Sequence, residues 1–328
     1  LINREIMNMN TKGLVSIITP CYNGEKYVHR LLDSILIQDY PLIEMFVIDD
    51  GSTDHTKDIV ESYIPQFNNK GYDLTYVYQE NAGQAAALNK GLKLITGEYL
   101  MWPDSDDYYC SDKAISTFVD AFRNLDNSYG MVRCQGYNVD EETLDVISER
   151  NLFVNSEKLF EAYLYGKENS GGAGLLMIKI ESFDNVVKGR NIYDKRQPQN
   201  IQMLYPITYS YKTKSINVRL HNILYRSNSH SHHSKTFEKQ LDDLQAFFEI
   251  QDNTIRNMII SKEEKTYWIN CCKKHILSEK IICSINNNKY KSAKYFLKEL
   301  KNIGGSISIR RRIKIELLPI LNLLRRQL

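Results

Sequence analysis

The sequence predicts an α/β fold, a mostly parallel sheet flanked by helices, followed by an all-helical C-terminal region. Two observations lead to this class. Between residues 13 and 102, apolar segments rich in β-branched residues alternate three times with segments of helical periodicity. This alternation is typical of parallel strands joined by helices. From residue 234 onward the periodicity is helical throughout.

Apolar runs in the first half predict strands at 13–20, 43–50, 74–79 and 97–102. Helical spacing predicts helices at 25–38, at 84–95 and from the turn DGSTDHT to about residue 63. The pattern then loosens, with helices expected at 112–125, 155–164 and 199–211 and strands at 129–135, 175–180 and 216–226. The last helices are expected at 235–251, 261–284, 289–301 and 307–327.

Composition and length are those of an ordinary globular protein. The 328 residues are 42% hydrophobic and 25% charged, enough for one large domain and an appended region. The chain has no apolar run of about 18 residues, and its N-terminus lacks the apolar segment of a signal peptide. Six cysteines without CxxC spacing favour free thiols. We therefore expect a cytoplasmic protein.

Polar, small-residue segments follow each of the first four predicted strands. They read PCYNG, DDGSTD, ENAGQ and PDSDD in chain order. In sheets of this kind ligands bind at the carboxyl ends of the strands. The sequence therefore predicts a binding site at one edge of the sheet.

The segment WPDSDDYY places three carboxylates, Asp104, Asp106 and Asp107, within four positions. Like charges so close repel one another, and the crowding gives no gain in folding. Two interpretations compete, an acidic turn that caps the next helix and a cradle for a divalent cation. Ser111 or Asp112 already stands where the cap of that helix belongs, which favours the cation.

Three segments together carry a family resemblance over about residues 14–125. VSIITPCYNGEKYVHRLLDSILIQ, FVIDDGSTDHT and NAGQAAALNKGLKLITGEYLMWPDSDDYY, in this order, resemble the family-2 glycosyltransferases and their nucleotide-sugar-binding GT-A fold. The resemblance implies a GT-A domain at 13–233, with a nucleotide-binding half at 13–125 and an acceptor half at 126–233. An N-terminal arm at 1–12 and a helical region at 234–328 would flank it.

The resemblance also implies a donor site. Tyr22 matches the aromatic residue that stacks on the base of the donor, and Asp50 matches the carboxylate that accepts the uracil imide N–H. Asp49 would orient the loop, instead or as well. The other donor-binding residues implied are Pro20, Asn23, Asn81, Gln84, Asp104 and Ser105.

Within the acidic segment, Asp106 matches the direct metal ligand of the family, and so carries the catalytic role, and Asp104 the partner that holds ribose or a metal-bound water. Mn²⁺ or Mg²⁺ suits these hard oxygen ligands and bridges phosphates with few protein carboxylates. The cation would neutralise charge on the departing nucleoside diphosphate. Asp107 is structural in this interpretation, or contacts the donor sugar.

The chain departs from the family where inverting members carry the aspartate that deprotonates the acceptor. Gln199 and Asn200 stand at that position, and an amide is not a Brønsted base. Three alternatives stay open. Asp194, the nearest carboxylate, is the base; Asn200 orients the acceptor while phosphate or a histidine takes the proton; or the enzyme retains configuration and needs no such base.

Two further segments are candidates for the same site. SNSHSHH, after the last predicted strand, offers His230 and His232, with Arg226 just before it, as contacts to the metal or the diphosphate. SGGAG, at 170–174, either lets an acceptor sugar approach the backbone or forms a plain turn.

The basic tail, residues 306–328, carries six basic residues against one glutamate, although the whole chain has a net charge of only +2. The rest of the chain is thus slightly acidic, which argues against nucleic-acid binding. Apolar residues of the tail share one helical face, which suits an anionic membrane surface. The alternative is packing on the body of the protein or on a second subunit in a homodimer.

Together these features predict a metal-dependent hexosyl- or N-acetylhexosaminyltransferase at the inner face of a bacterial plasma membrane. It would move one sugar from a nucleotide donor, UDP-linked, to a hydroxyl of a capsular or other cell-surface glycan or a lipid-linked oligosaccharide. The QxxRW signature of processive synthases is absent. The alternatives are a non-catalytic nucleotide-sugar-binding relative and a sugar-nucleotidyltransferase, although PCYNGEKY has only one glycine where the latter needs a glycine-rich loop.

Overall fold

The computed structural model describes residues 10–152, 154–168, 172–193, 199–226, 236–313 and 315–316. The chain divides into two compact units, residues 1–229 and 230–328. The predicted boundary at 233–234 lies in segment 227–235, outside the described residues. Most of the predicted N-terminal arm, residues 1–9, also lies outside them.

The first unit contains a mixed sheet with helices packed on it. Its strands are β1 (Thr11–Cys21), β2 (Ile43–Asp50), β3 (Asp73–Gln79), β4 (Gly97–Met101), β5 (Tyr108–Tyr109), β6 (Tyr129–Asp140), β7 (Val146–Arg150), β8 (Leu176–Lys179) and β9 (Lys212–Tyr225). Its helices are α1 (Val28–Leu36), α2 (Thr56–Lys70), α3 (Gln84–Leu92), α4 (Ala114–Arg123), α5 (Phe160–Leu164), α6 (Ile180–Val186) and α7 (Asn200–Ser210). The predicted α/β class is confirmed.

Among the described residues the strands form one nine-stranded sheet in the order β3-β2-β1-β4-β8-β6-β9-β5, with β7 paired to β6. The first four strands are parallel to one another. Every residue of β2 and the last seven of β1 are buried. Such continuous burial is typical of central parallel strands covered on both faces. The carboxyl ends of these strands therefore point to a single edge, as the sequence predicted.

The acceptor half of the sheet is largely antiparallel. β8 runs antiparallel to β4 and β6, β7 antiparallel to β6, and β5 antiparallel to β9, whereas β6 and β9 are parallel. The sequence pattern missed β5, β7 and α6. The first two are short edge pairings that depend on a partner strand, and α6 is a seven-residue helix directly after β8.

Several helix ends differ from the prediction. α1 begins at Val28 because residues before it form a turn in which Val28 N donates to Gly24 O. α2 continues past Pro65 to Lys70 and ends at Gly71, whose φ of 83° is the left-handed conformation that glycine adopts without strain. The predicted helix at 155–164 is limited to α5.

Within the described residues the second unit contains α8 (Phe237–Asn257), α9 (Lys262–Asn286), α10 (Tyr290–Asn302) and helical residues at 309–313 and 315–316. A capping box starts α9, since Ser261 accepts from Glu264 N and Glu264 accepts from Ser261 N. Within the described residues no helix is both long and apolar enough to cross a bilayer. All six cysteines are free thiols, as predicted.

Candidate functional site

The loops after β1 and β2 are joined by hydrogen bonds centred on Asn23. Its backbone N–H donates to Ser52 Oγ at 2.9 Å, and its side-chain Oδ1 accepts from Thr53 N at 2.9 Å. Asn23 adopts a φ of 50°, a left-handed conformation that asparagine tolerates better than most residues. The tight turn in PCYNG thus depends on this asparagine. Pro20 lies just before it, buried in β1.

The carboxylate of Asp50 joins the loop after β2 to the loop after β3. Its Oδ1 accepts from Gln79 Nε2 at 2.7 Å and Ala82 N at 2.8 Å, and its Oδ2 accepts from Gly83 N at 2.8 Å. Asp50 is 4% exposed. A carboxylate offers about four acceptor positions, so these contacts leave Asp50 room for one more donor.

Asp49, also buried, orients the same loop from the other side. Its Oδ1 accepts from Ser52 N at 2.7 Å, and its Oδ2 accepts from Tyr76 Oη at 2.6 Å. Gly51, between the two aspartates and the turn, has a φ of 83°, and a Cβ there would lie 2.8 Å from Asn81 N. Asn81 in turn donates to Asp50 O at 2.9 Å. Only glycine fits this close approach.

The acidic loop, residues 104–107, is tied to its neighbours on both sides. Gln84 Nε2, at the start of α3, donates to Asp104 Oδ1 at 2.6 Å. Burial raises the pKa of the Cys21 thiol in β1 to about 12, opposed by a side-chain hydrogen bond with Ser105. The four polar loops are therefore one connected group at one edge of the sheet.

The Tyr22 side chain projects from this group into solvent. It is 54% exposed, so it is not packed under the loop. An aromatic face that is held by its loop and open to solvent can stack on a planar ligand.

Burial and neighbouring negative charge raise the pKa of two carboxyl groups of the acidic loop, Asp104 and Asp107. Burial, with the charges of Asp107 and Asp106, raises the pKa of Asp104 to about 7 against the opposing bond from Gln84. Burial and the charge of Asp106 raise the pKa of Asp107 well above its ordinary value. A cation near these side chains would relieve the repulsion.

Asp107 anchors the acidic loop to β9. Its Oδ1 accepts from Leu224 N at 2.9 Å, and its Oδ2 lies 3.5 Å from His221 Nε2. Burial lowers the pKa of His221 to about 3, so the ring is neutral at physiological pH. His221 packs on Tyr109, with ring centroids 4.8 Å apart. This buried group fixes the loop from behind.

Asp106, whose side chain is 20% exposed, pairs with an arginine. Its Oδ2 lies 2.5 Å from Arg226 Nη2, just after β9. From the sequence, Arg226 is a candidate contact to the metal or the diphosphate, and its pairing with Asp106 is not predicted. The pairing of β5 with β9, which brings the two together, has no local sequence signal.

Asn200, at the expected position of the catalytic base, is a buried hydrogen-bond acceptor. Its Oδ1 accepts from Trp102 Nε1 at 3.0 Å, and Trp102 is 1% exposed. The first turn of α7 carries no acidic residue. Asp194 lies outside the described residues.

The other candidates are described only in part. His230 and His232 lie outside the described residues, as do Ser170 and Gly171 of SGGAG. The described part of that motif packs on the buried histidine, because a Cβ on Gly174 would lie 2.2 Å from His221 Cε1. Gly174 therefore serves close packing behind the acidic loop.

The donor set suits a divalent cation that is held mainly by substrate oxygens. Among the described residues, no group of three or more His, Cys, Asp or Glu side chains is arranged to hold a metal ion. Asp104 and Asp106 nevertheless offer two adjacent carboxylates, and Mg²⁺-type sites at phosphates use one or two of these. The residues present fit such an ion.

The family model for glycosyl transferase family 2 matches residues 16–184. The chain belongs to this family. An uncharacterized glycosyltransferase of Rickettsia typhi is 39% identical over 155 residues, covering 47% of this chain and 45% of that protein. The putative teichuronic acid biosynthesis glycosyltransferase TuaG of Bacillus subtilis is 41% identical over 104 residues, covering 32% of this chain and 40% of that protein. The match thus spans less than half the length of either relative.

Two solved structures share the fold. S. aureus TarS 1-349 in complex with UDP has a TM-score of 0.59 at 18% identity and covers 81% of this chain and 72% of that one. The mannosyltransferase PcManGT from Pyrobaculum calidifontis, in complex with GDP-Man and Mn²⁺, has a TM-score of 0.57 at 18% identity and covers 95% of this chain and 81% of that one. The predicted family and GT-A fold are confirmed.

Proposed function

We propose that this protein transfers a sugar from a nucleotide-linked donor, with UDP as the nucleotide, to a hydroxyl group of a cell-surface glycan or lipid-linked oligosaccharide. The observation that carries the proposal is the connected group of four loops, in which Asn23, Asp50, Gln84 and Asp104 link one loop to the next. A similar protein named for teichuronic acid biosynthesis and a structure of the same fold in complex with UDP both agree with it.

In this proposal the loops bind the nucleotide through complementary groups. Tyr22 stacks on the base, and Asp50 uses its remaining acceptor position for the imide N–H of uracil. Pro20 and Asn23 shape the turn beneath the base, while Asn81, Gln84 and Ser105 line the side toward the ribose. Because Asp50 is held by three donors, it is pre-oriented and loses little freedom on binding.

Asp106 and Asp104 would hold Mn²⁺ or Mg²⁺, with His230 and His232 as further candidate ligands. When bound, the cation neutralises negative charge on the nucleoside diphosphate as the bond to the sugar breaks. Gln84 keeps Asp104 in place through its amide N–H, and Asp107 keeps the loop on β9.

The proton of the acceptor hydroxyl requires a base. Asn200 is occupied by Trp102 and is an amide, so we assign it a positioning role and assign Asp194 the role of base. Asp194→Asn should then lower kcat while leaving UDP affinity unchanged. An unchanged kcat would instead favour retention of configuration or another base.

The competing function is nucleotide-sugar binding without catalysis, and the absence of a carboxylate from the first turn of α7 favours it. A panel of nucleotide sugars, scored by thermal stabilisation with Mn²⁺ and then by donor hydrolysis or transfer, separates the two. Turnover that Asp106→Asn abolishes supports the enzyme. Stabilisation without turnover for any donor supports the binding protein.

The same panel tests the nucleotide site. Tyr22→Ala should weaken UDP binding by about tenfold, since stacking on one base contributes about 1–3 kcal/mol. Equal affinity in this variant would contradict the stacking role.

We further propose that the protein acts at the inner face of the plasma membrane, to which the basic tail binds. The alternative is that the tail and the other C-terminal helices form a homodimer interface.

A further inference from the structure

An arginine pairs with the carboxylate that is proposed to hold the divalent cation. Arg226 Nη2 lies 2.5 Å from Asp106 Oδ2, and the two side chains are 39% and 20% exposed. A guanidinium group and a divalent cation are both positively charged, and they repel each other when they share one carboxylate. A metal ion therefore binds Asp106 more favourably once the side chain of Arg226 has left it.

The fold holds Arg226 at this position. β5 pairs with β9 so that Tyr108 faces Asn222 and Tyr109 faces His221. Leu224 N then donates to the buried carboxylate of Asp107. Arg226 directly follows β9, two positions after Leu224, so the register that joins Leu224 N to Asp107 also brings Arg226 close to Asp106.

An aromatic side chain supports the arginine from the donor side. The guanidinium carbon of Arg226 lies 5.3 Å from the centroid of Tyr27, which immediately precedes α1. Tyr27 is itself held, because its hydroxyl donates to Glu141 Oε2 at 3.1 Å. Arginine stacks well on aromatic rings. The guanidinium is thus kept where the loop after β1, the acidic loop and the end of β9 meet.

We propose that Arg226 is a resident counter-cation that occupies Asp106 until a nucleoside diphosphate binds, and that it then transfers from this carboxylate to the diphosphate. A diphosphate carries more negative charge than one carboxylate and matches the guanidinium fork. Its arrival therefore draws Arg226 away and frees Asp106 for the divalent cation. The inference rests on the proposed function for the identity of the two ligands.

One consequence is thermodynamic coupling between the two ligands. A metal ion alone meets the positive charge of Arg226 at Asp106, so it binds weakly. With nucleotide present, the guanidinium of Arg226 pairs with the diphosphate, and the metal ion pairs with Asp106. Each ligand should therefore raise the affinity of the protein for the other.

The test is Arg226→Gln in the whole 328-residue chain, with Mn²⁺ and UDP as probes. Mn²⁺ binding to the nucleotide-free protein is followed by electron paramagnetic resonance, and UDP binding at fixed Mn²⁺ by calorimetry. We expect Mn²⁺ to bind the nucleotide-free variant about tenfold more tightly than wild type, and UDP to bind it about tenfold more weakly, because one partly exposed charge interaction is of this size. A variant that failed to fold would bind both ligands more weakly. An increase in Mn²⁺ affinity together with a decrease in UDP affinity therefore excludes a general loss of folding.

The matched control is Arg30→Gln. Arg30 contacts the same Tyr27 ring, at 5.7 Å from its centroid, and donates to Glu141 O, but its described contacts do not include Asp106. This variant makes the same charge change nearby and should shift both affinities less than about twofold.

Mn²⁺ affinity that is unchanged or reduced in nucleotide-free Arg226→Gln, while UDP still binds, would overturn the counter-cation role. A wild-type protein that binds no UDP with Mn²⁺ would instead overturn the proposed function.

Discussion

Asn200 joins the start of α7 to the residue that leads into the acidic loop. Its side-chain oxygen accepts the indole N–H of Trp102, and both residues are buried. A buried indole N–H without a partner is costly. Asn200, which the family resemblance predicted at the position of the base, thus fixes the side chain of Trp102 just before the acidic loop.

Asn200→Ala should lower the free energy of unfolding by about 1–3 kcal/mol, because it leaves the N–H of Trp102 unpaired. Urea denaturation of the ligand-free protein measures the change. Trp102→Phe and the double variant complete a double-mutant cycle, in which coupled residues give an interaction energy of about 0.5–3 kcal/mol. Additive effects of the two substitutions would show that the hydrogen bond contributes nothing.

At the scale of elements, a buried ion pair connects β6 to the segments that follow β7 and α5. Arg133 Nη1 donates to Glu168 Oε2 at 2.8 Å, and both side chains are almost fully buried. Arg133 also donates to Ser215 Oγ and Val154 O, and Val154 N donates to Glu168. These bonds give the buried guanidinium of Arg133 a counter-charge and hydrogen-bond acceptors, without which burying a charge is costly.

Glu168→Ala should destabilise the protein by about 3–5 kcal/mol, because it leaves the guanidinium of Arg133 buried without its counter-charge. The double variant Arg133→Met with Glu168→Ala should recover part of this loss, since the charge is removed with its partner. Chemical denaturation of the three proteins gives the comparison.

The exposed pair Lys57–Glu61 on α2 is the control for Glu168→Ala. Its side chains are 60% and 46% exposed and 3.8 Å apart, so Glu61→Ala should cost at most about 1 kcal/mol. Similar losses in Glu168→Ala and Glu61→Ala would contradict the stabilising role assigned to the buried pair.

At the scale of the whole molecule, the basic tail begins as part of the second unit. Ile315 is fully buried in a cluster with α9 and α10, and Ile307 packs against the same cluster. Ile309 and Ile313 are 78% and 48% exposed, and the arginines between them are exposed as well. One face of the described tail thus contacts protein, and its other face offers isoleucine and arginine to a further partner.

Arg310→Glu with Arg311→Glu should weaken binding to vesicles rich in phosphatidylserine by at least about tenfold, since each basic residue near an anionic surface contributes about 1 kcal/mol. Vesicle sedimentation measures the affinity of each protein for these vesicles. Deletion of 306–328 is a poorer test, because it removes Ile315 and opens the core of the unit.

The matched control for the tail is Lys294→Glu with Lys298→Glu, which reverses two exposed charges on α10. It should leave vesicle binding almost unchanged. Equal vesicle binding by the wild type and the tail variant would contradict membrane attachment, and a shift from dimer to monomer in the tail variant would favour the second copy as partner.

Local pattern was sufficient for much of this molecule. Apolar runs located β1 to β4 within about two residues, and helical periodicity located α3, α4 and α7. The sequence pattern predicted strands less well where a strand forms only because another strand pairs with it. β5 consists of two residues and exists only because β9 lies beside it, and β7 exists as the return strand of a hairpin with β6.

The amino-acid sequence by itself determined the fold class, the family and the four polar loops at one edge of the sheet, because strand and turn propensities and loop composition are local properties of the chain. Only the tertiary structure decided what those polar groups contact. That Arg226 pairs with Asp106 and Trp102 with Asn200 depends on strand register and helix placement. These follow from the packing of distant segments, which no local pattern encodes.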